Sequence, residues 1–179
     1  MESIGVFCAA SQCLDARYYT MAEQVGCLLG EHQMTVYYGG AACGMMESVA
    51  LGVRQGGGKV VGVVPTVLEQ KGMVSTLLDE KIPCQDLNDR KAIIIERSEV
   101  LLALPGGIGT LDEMFTVASA HSIGYHTKRV ILYNEDGFWN SLWPFLEELH
   151  RTGFIRGSLD QYFPRVASLD ELRDLLKRL

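Results

Sequence analysis

A glycine-rich segment in the middle of the chain has the composition of an anion-binding turn. Residues Pro105 to Thr110 read P-G-G-I-G-T and follow the apolar run Val100–Leu104. Proline ends a strand because it has no N–H to donate, and glycine permits backbone conformations closed to other residues. A helix beginning at Gly109-Thr110 would present free N–H groups and a partial positive charge to a phosphate or carboxylate, with the Thr110 hydroxyl as a further donor. The Gly-Lys-Ser/Thr ending of a Walker loop is missing.

Two acids, Asp112 and Glu113, follow this turn directly. An acid in the first turn of a helix contributes about 0.3–1 kcal/mol, which accounts for one of them. Two acids beside a bound anion would repel it, so the pair indicates two separate tasks. One acid would bind ribose hydroxyls and the other would transfer a proton.

A second charged segment, Asp86 to Lys91, precedes the run Ile93–Ile95. Asp86 or Asn88 can cap a helix here, although the isoleucine run is equally typical of a strand. In a helix, Arg90 and Lys91 would oppose the helix dipole near its start. Two interpretations stay open: Arg90 binds a phosphate or carboxylate through two parallel hydrogen bonds, or it pairs on the surface with a neighbouring acid.

Short β-branched runs alternate with longer amphipathic patterns along the chain. The predicted strands are Ile4–Cys8, Thr35–Tyr38, Val60–Val64, Val100–Leu104, Val130–Tyr133 and a short one near Arg165–Ala167. Asp15 starts the predicted first helix and Ser168 caps the last. This alternation predicts an α/β fold with a doubly wound, mostly parallel sheet and helices on both faces.

Small residues follow several of the predicted strands. Ser11 comes after the first strand, Gly39 and Gly40 after the second, and Pro65-Thr66 after the third. The carboxyl ends of parallel strands share one edge, where such sheets bind ligands at the switch point of the strand order. Tight turns favour glycine in any case, but several at one edge indicate that backbone approaches a ligand closely. We therefore expect Ser11, Gly39 and Gly40 to contact a ligand.

The composition is that of one globular domain, residues 1–179. Apolar residues make up 47% of the chain and charged residues 21%, which is ordinary for such a domain. The net charge of −6 argues against general nucleic-acid binding, because that requires a basic surface. No uncharged apolar stretch of about 18 residues is present to span a membrane. The N-terminal segment M-E-S-I-G-V-F-C-A-A-S-Q has an acid at Glu2, no basic region and only a short apolar run, so we expect a strand there and no signal peptide.

The five cysteines are scattered, with neither a C-x-x-C pair nor a histidine at zinc spacing. The sequence therefore predicts no metal site. An odd, scattered count fits buried thiols in a reducing compartment, so we expect a cytoplasmic protein.

These motifs resemble those of the Lonely Guy (LOG) family, whose members were long labelled possible lysine decarboxylases. The segment Pro105–Glu113 matches P-G-G-x-G-T-x-x-E, and Arg90-Lys91 matches the R-K that precedes it. Further matching segments extend over nearly the whole chain: Tyr38-Gly39-Gly40, Gly44-Met45-Met46, Gly62–Pro65, Gly124-Tyr125-His126, Asp136–Trp139 and Gly153-Phe154-Ile155.

The resemblance implies a Rossmann-like homodimer that hydrolyses the N-glycosidic bond of nucleoside 5′-monophosphates. The products are the free base and ribose 5-phosphate; AMP or an N6-modified AMP, as in cytokinin biosynthesis, is the expected substrate. Arg90 and Glu113 match the family's catalytic pair, and Lys91 and the segment Gly106–Asp112 match its nucleotide-binding part. The expected phosphate ligands within that segment are Gly106, Gly107, Gly109 and Thr110.

Cleavage of a ribosyl C–N bond passes through an oxocarbenium-like transition state. Glu113 is the expected general base and electrostatic stabiliser, and Asp112 the expected ribose ligand. Arg90 either orients Glu113 or assists the leaving base. Ser119, two turns beyond Asp112, is a further candidate ligand contact. No cofactor is expected, since no lysine has a recognisable setting for the pyridoxal phosphate that decarboxylation requires.

Two other functions fit the same motifs: a non-catalytic nucleotide-binding sensor or carrier, and a salvage or repair enzyme of broad base specificity. The chain departs from the family pattern at four places around the predicted pocket. These are Leu87-Asn88-Asp89 in place of M-x-x, Ala41 and Glu47 in place of glycines, and Cys8–Ser11 in place of C-G-S-S. The departures bear on which base is preferred.

Overall fold

The computed structural model describes residues 2–179, and Met1 lies outside them. Seven parallel strands form one sheet in the order β4-β3-β2-β1-β5-β6-β7. Their bounds are β1 Ser3–Phe7, β2 Thr35–Tyr38, β3 Lys59–Pro65, β4 Glu80–Cys84, β5 Val100–Ala103, β6 Val130–Tyr133 and β7 Arg165–Val166. The predicted α/β fold with a parallel, doubly wound sheet is confirmed.

Seven α-helices connect or follow these strands. They are α1 Ala16–Glu31, α2 Gly44–Gln55, α3 Thr66–Gln70, α4 Leu87–Arg97, α5 Ile108–Ser122, α6 Trp143–Arg151 and α7 Leu169–Leu176. The predicted caps Asp15 and Ser168 accept hydrogen bonds from the Arg17 and Glu171 amides. Asp86 caps α4 by accepting from the amides of the second and third helical residues, so the isoleucine run that follows is helical.

The core has two halves, one on each face of the sheet. Apolar side chains of α1, α2 and α7 pack on one face, and those of α4, α5 and α6 pack on the other. Strand β5 is buried along its whole length. Burial on both faces explains why most strands are short continuous apolar runs in the sequence.

The strand order reverses next to β1. Strand β1 pairs with β2 on one side and with β5 on the other, and the chain crosses from one half of the sheet to the other between β4 and β5. The carboxyl ends of β1 and β5 therefore flank the switch point, where α/β sheets leave a crevice for ligands.

Helices α1 and α2 pack backbone to backbone through two pairs of glycines. A Cβ atom at Gly26 would overlap the Val49 carbonyl oxygen, and one at Gly52 would overlap the Glu23 carbonyl oxygen. Gly30 and Gly56 repeat this contact one turn further along. The close approach requires glycine because any side chain would force the helices apart.

Strand β4 was not predicted from the sequence. Its residues, E-K-I-P-C, carry two charges and a proline, and four of the five are exposed or half-exposed. β4 pairs only with β3, at the end of the sheet, so it needs no continuous apolar run.

Candidate active site

A cavity of about 350 Å³ lies at the carboxyl edge of the sheet, at the switch point between β1 and β5. Its volume falls within the range of about 300–1,000 Å³ typical of small-molecule sites. The predicted residues that line it are Ser11, Arg90, Lys91, Gly107, Gly109, Thr110, Asp112 and Glu113. A cleft of about 430 Å³ at the opposite edge, lined by Glu99, Lys128 and Leu175 among others, contains none of the predicted residues.

The loop after β1 connects the walls of this cavity. The Ala9 amide donates to the Pro105 carbonyl at 3.2 Å, and the Ala9 carbonyl accepts from the Met45 amide at 3.0 Å. Gly44 has φ +57°, and a Cβ there would overlap Ala10. These contacts hold the starts of α2 and the β5–α5 turn against one another, so the cavity is shaped by backbone.

The amino terminus of α5 opens into the cavity without a capping side chain. Gly107 occupies the cap position, and the space beside Gly107 and Gly109 is open where a Cβ would stand. The first backbone N–H groups of a helix have no intrahelical partner, so they can donate to an anion. Gly106 does not line the cavity; it lies under Thr110, whose side chain a Cβ at Gly106 would overlap.

Helix α5 begins at Ile108 rather than at the predicted Gly109. Asp112 and Glu113 therefore lie in its second turn. The stabilisation that a helix dipole gives to acids falls off within the first turn. Helix capping consequently does not account for these two acids, which strengthens the case for a role in the cavity.

Arg90 is a buried cation without a carboxylate partner. It is 9% exposed, and no ion pair within residues 2–179 includes it. Its Nη2 atom lies 3.9 Å from the Met46 sulfur, and its Nε atom is buried with no hydrogen-bond partner. The guanidinium lies against Gly39, where a Cβ would overlap it. Gly39 thus makes room for Arg90 and does not itself line the cavity.

Glu113 and Arg90 both line the cavity. Burial raises the pKa of Glu113 from 4.5 to about 7, while the Arg90 charge opposes the rise. Asp112 adds to the increase in that pKa and Lys91 opposes it. A carboxyl group with a pKa near neutrality can both accept and return a proton at physiological pH, as a general base must.

Lys91 and Asp112 form an ion pair beside Glu113. The Lys91 Nζ atom lies 2.9 and 2.7 Å from the two carboxylate oxygens of Asp112. The Lys91 side chain is 12% exposed and that of Asp112 is 55% exposed. This pair joins α4 to α5 at the mouth of the cavity.

Five further residues contribute the apolar part of the lining: Cys8, Ala9, Ala10, Met46 and Leu87. Burial and the nearby Glu113 raise the pKa of the Cys8 thiol above its ordinary value, so the thiol stays protonated. Leu87 is 63% exposed at the mouth. These residues were not predicted as ligand contacts, because each lies in a motif that was interpreted through its glycine, hydroxyl-bearing or charged residues.

Two further predicted contacts, Ser119 and Gly40, also lie outside the cavity lining. Ser119 lines clefts on the outer side of α5, with Phe115 and Ile123. Ser119 follows Asp112 by seven residues, so at 1.5 Å per residue it lies about 10 Å further along the helix. Gly40, with φ +71°, packs against Val64 behind the cavity. The roles of all these residues in binding and catalysis stay predictions.

The described residues show neither a metal-binding cluster nor a membrane-spanning helix. Across the part of the chain that the structure describes, no group of three or more histidine, cysteine or acidic side chains is arranged to hold a metal ion. In that same part, no helix combines the length and hydrophobicity needed to cross a membrane. The cysteines are all free, and Cys8, Cys43 and Cys84 are buried while Cys13 is exposed.

The fold and the switch-point cavity define a Rossmann-like α/β protein. A family model described as "Possible lysine decarboxylase" matches residues 46–176. The probable cytokinin riboside 5′-monophosphate phosphoribohydrolase LOGL3 of Oryza sativa subsp. japonica is 34% identical over 172 residues, which cover 96% of this chain and 82% of that protein. The cytokinin riboside 5′-monophosphate phosphoribohydrolase LOG3 of Arabidopsis thaliana is 33% identical over 176 residues, covering 98% and 80%. The chain therefore belongs to the LOG family, as its motifs predicted.

Solved structures show the same fold at lower sequence identity. The molybdenum cofactor binding protein of Rippkaea orientalis is 22% identical with a TM-score of 0.75, covering 99% of this chain and 96% of that one. The molybdenum cofactor carrier protein of Chlamydomonas reinhardtii is 21% identical with a TM-score of 0.74 and the same coverage. At this identity the likeness concerns the fold alone.

Proposed function

We propose that the protein hydrolyses the N-glycosidic bond of nucleoside 5′-monophosphates to give the free base and ribose 5-phosphate. AMP and N6-modified AMP are the proposed substrates, in line with the names of the LOG relatives. The observation that carries this proposal is the buried, unpaired Arg90 beside Glu113, in a cavity that also contains the open amino terminus of α5. A site that only bound an anion would gain nothing from a carboxylate there, because the two would repel.

The 5′-phosphate would bind the free amides at the start of α5, with Gly107 and Gly109 allowing close approach. The Thr110 hydroxyl lies on the same wall. Asp112 would bind the ribose hydroxyls. Its contact with Lys91 leaves acceptor sites free, since an ionised carboxylate has about four.

The reaction breaks the bond between C1′ of the ribose and a nitrogen of the base, and the electron pair leaves with the base. Ionised Glu113 stabilises the positive charge that develops on the sugar and accepts a proton from the attacking water. The water oxygen bonds to C1′, the departing base takes up a proton from solvent, and Glu113 afterwards releases to solvent the proton it accepted. Arg90 stabilises the negative charge that develops on the base as it leaves.

Incubation of the purified protein with AMP tests this reaction directly. Chromatography should detect free adenine and ribose 5-phosphate, with adenosine a much poorer substrate because it lacks the phosphate. Glu113→Gln and Arg90→Ala should each lower kcat by about 10²- to 10⁴-fold and leave the circular dichroism spectrum unchanged. Thr66→Ala, on exposed α3 outside the cavity, is the control that should keep full activity.

A lack of free base from every purine and pyrimidine monophosphate would rule out the hydrolase. If AMP nevertheless raised the melting temperature of the protein, the alternative function, a nucleotide-binding sensor or carrier, would be supported. Comparable rates with many bases would instead favour a general salvage enzyme over a cytokinin-producing one.

We also propose that the protein acts as a homodimer in the cytoplasm. The outer side of α5 and its surroundings expose four large apolar side chains, which we call the α5 surface: Phe115, Ile123, Tyr125 and Phe154. Two clefts of about 420 and 430 Å³ run along this surface, and Asp112 lines both one of these clefts and the catalytic cavity. A second copy docked here would adjoin the proposed active site.

Five free thiols fit a reducing compartment, which supports the proposed cytoplasmic location.

A further inference from the structure

Two consecutive residues of α4 face two consecutive residues of α5, and only one of the two possible ion pairs is formed. Lys91 contacts both carboxylate oxygens of Asp112. Arg90 and Glu113, the adjacent residues in each helix, both line the cavity and are not ion-paired in the structure. The Lys91 side chain is almost covered, so its charge is only weakly screened by water.

The charged and titratable groups around Glu113 come from three elements. Helix α4 contributes Arg90 and Lys91, α5 contributes Asp112, and β1 leads into Cys8. The Cys8 thiol is uncharged. Glu113 is therefore surrounded by two cations and one anion, and the anion is in direct contact with one of the cations.

We propose that the Lys91–Asp112 ion pair is a positioning element that cancels the ammonium charge at Glu113 and keeps Lys91 from pairing with that carboxylate. Its catalytic meaning rests on the proposed function, in which Glu113 must accept a proton. Without Asp112, Lys91 would turn to Glu113 and hold it ionised, which would make it a weaker base. Without Lys91, the uncompensated Asp112 would favour protonated Glu113.

Titration of the free protein tests this directly, with no substrate present. Protein labelled with carbon-13 at the glutamate carboxyl groups gives a resonance for Glu113 that is identified by its loss in Glu113→Gln. The titration midpoint of that resonance should fall by about one pH unit in Asp112→Asn and rise by about one in Lys91→Met, since a neighbouring charge has effects of about that size. The double variant should return close to wild type.

A control variant is Glu80→Gln, which breaks the ion pair between Lys59 and Glu80. Both of these side chains are 50% exposed. It should leave the Glu113 midpoint in place. Lys91→Arg should restore the wild-type midpoint, because it retains the cation. Melting curves show whether each variant is folded, and an unfolded variant is replaced by Asp112→Ser or Lys91→Gln.

Midpoints that move in the same direction in both single variants, or that do not move, would overturn the proposal, because a merely structural pair gives no opposite signs. The Glu113 midpoint is measured without substrate, so this result does not depend on whether the protein hydrolyses AMP. If the midpoints shift in opposite directions but AMP is not hydrolysed, the ion-pair effect on Glu113 is supported and the proposed hydrolase activity is rejected.

Discussion

Arg90 and Glu113 both place an ionisable side chain in the lining of the cavity. A buried guanidinium without an ion-pair partner is costly, and the Arg90 guanidinium lies against Gly39 and 3.9 Å from the Met46 sulfur. The raised pKa of Glu113 has the same origin, since burial favours its neutral form. Functional sites are where such costs are commonly retained, because the charges then act on a ligand.

The Glu113 carboxyl group should make the stability of the protein depend on pH. Between pH 4.5 and about 7 the folded chain holds a proton that the unfolded chain has released, so the free energy of unfolding falls as pH rises through this window. Glu113→Gln removes the effect and should stabilise the protein above pH 7 by roughly 1–3 kcal/mol, but hardly at all near pH 4.5. Urea unfolding at both pH values measures this. An equal change at both would show that ionisation of Glu113 is not responsible.

Gly39→Ala should abolish the proposed hydrolase activity, although residue 39 lies outside the cavity lining. Its Cβ would overlap the Arg90 guanidinium, so the cation must move, and the loss of kcat should approach that of Arg90→Ala. Gly109→Ala is the matched comparison, because its Cβ meets only open space. It should leave the free protein intact and raise the KM for AMP, where a bound phosphate would approach. Steady-state kinetics separates the two, and an unaltered kcat in Gly39→Ala would contradict the assigned role.

The contact between helices α1 and α2 supports one wall of the cavity. The loop before α1 and the start of α2 are joined by the hydrogen bond between Ala9 and Met45. The glycine pairs fix how closely the two helices approach. Distortion of that contact is therefore expected to reach the cavity wall.

Gly52→Ala should destabilise the protein by about 1–3 kcal/mol, the usual cost of inserting atoms into a well-packed core. The new Cβ would overlap the Glu23 carbonyl of α1. The midpoint of urea unfolding measures the loss. Gln55→Ala, exposed on the same helix, should change stability by less than about 0.5 kcal/mol. Equal effects of the two substitutions would show that the helices can separate at little cost.

Most of the sheet could be predicted from the sequence because buried parallel strands are apolar runs. The exceptions have physical reasons: β4 lies at the edge and carries charges, and Ile93–Ile95 has a pattern that fits both strand and helix. The local turns that form the cavity were recognisable from glycine and proline. The burial of Arg90 and the raised pKa of Glu113 were not, since they depend on contacts with segments far away in the sequence.

The α5 surface is an apolar part of the molecule that the rest of the described chain leaves exposed. Phe154 is 81% exposed and Ile123 65% exposed. Contiguous apolar patches of this kind commonly mark association sites. A dimer through this surface would bury roughly 1,200–2,000 Å² if it is a standard interface.

Phe154→Asp should therefore convert the proposed dimer into a monomer. A charge in an apolar interface loses its hydration without a compensating partner. Light scattering coupled to size-exclusion chromatography gives the mass of each form. Val67→Asp, at another exposed apolar position, on α3, should keep the wild-type mass. A monomeric wild type, or a Phe154→Asp variant of unchanged mass, would count against this interface.

The outermost strand β4 restricts how copies of the protein can associate. Its lysine and glutamate, together with Pro83, which has no N–H to offer, make that border unsuitable for accepting another chain by strand addition. The opposite border, β7, is only two residues long. Growth of the sheet into larger aggregates is thus blocked at both ends, and assembly is directed to the helical faces.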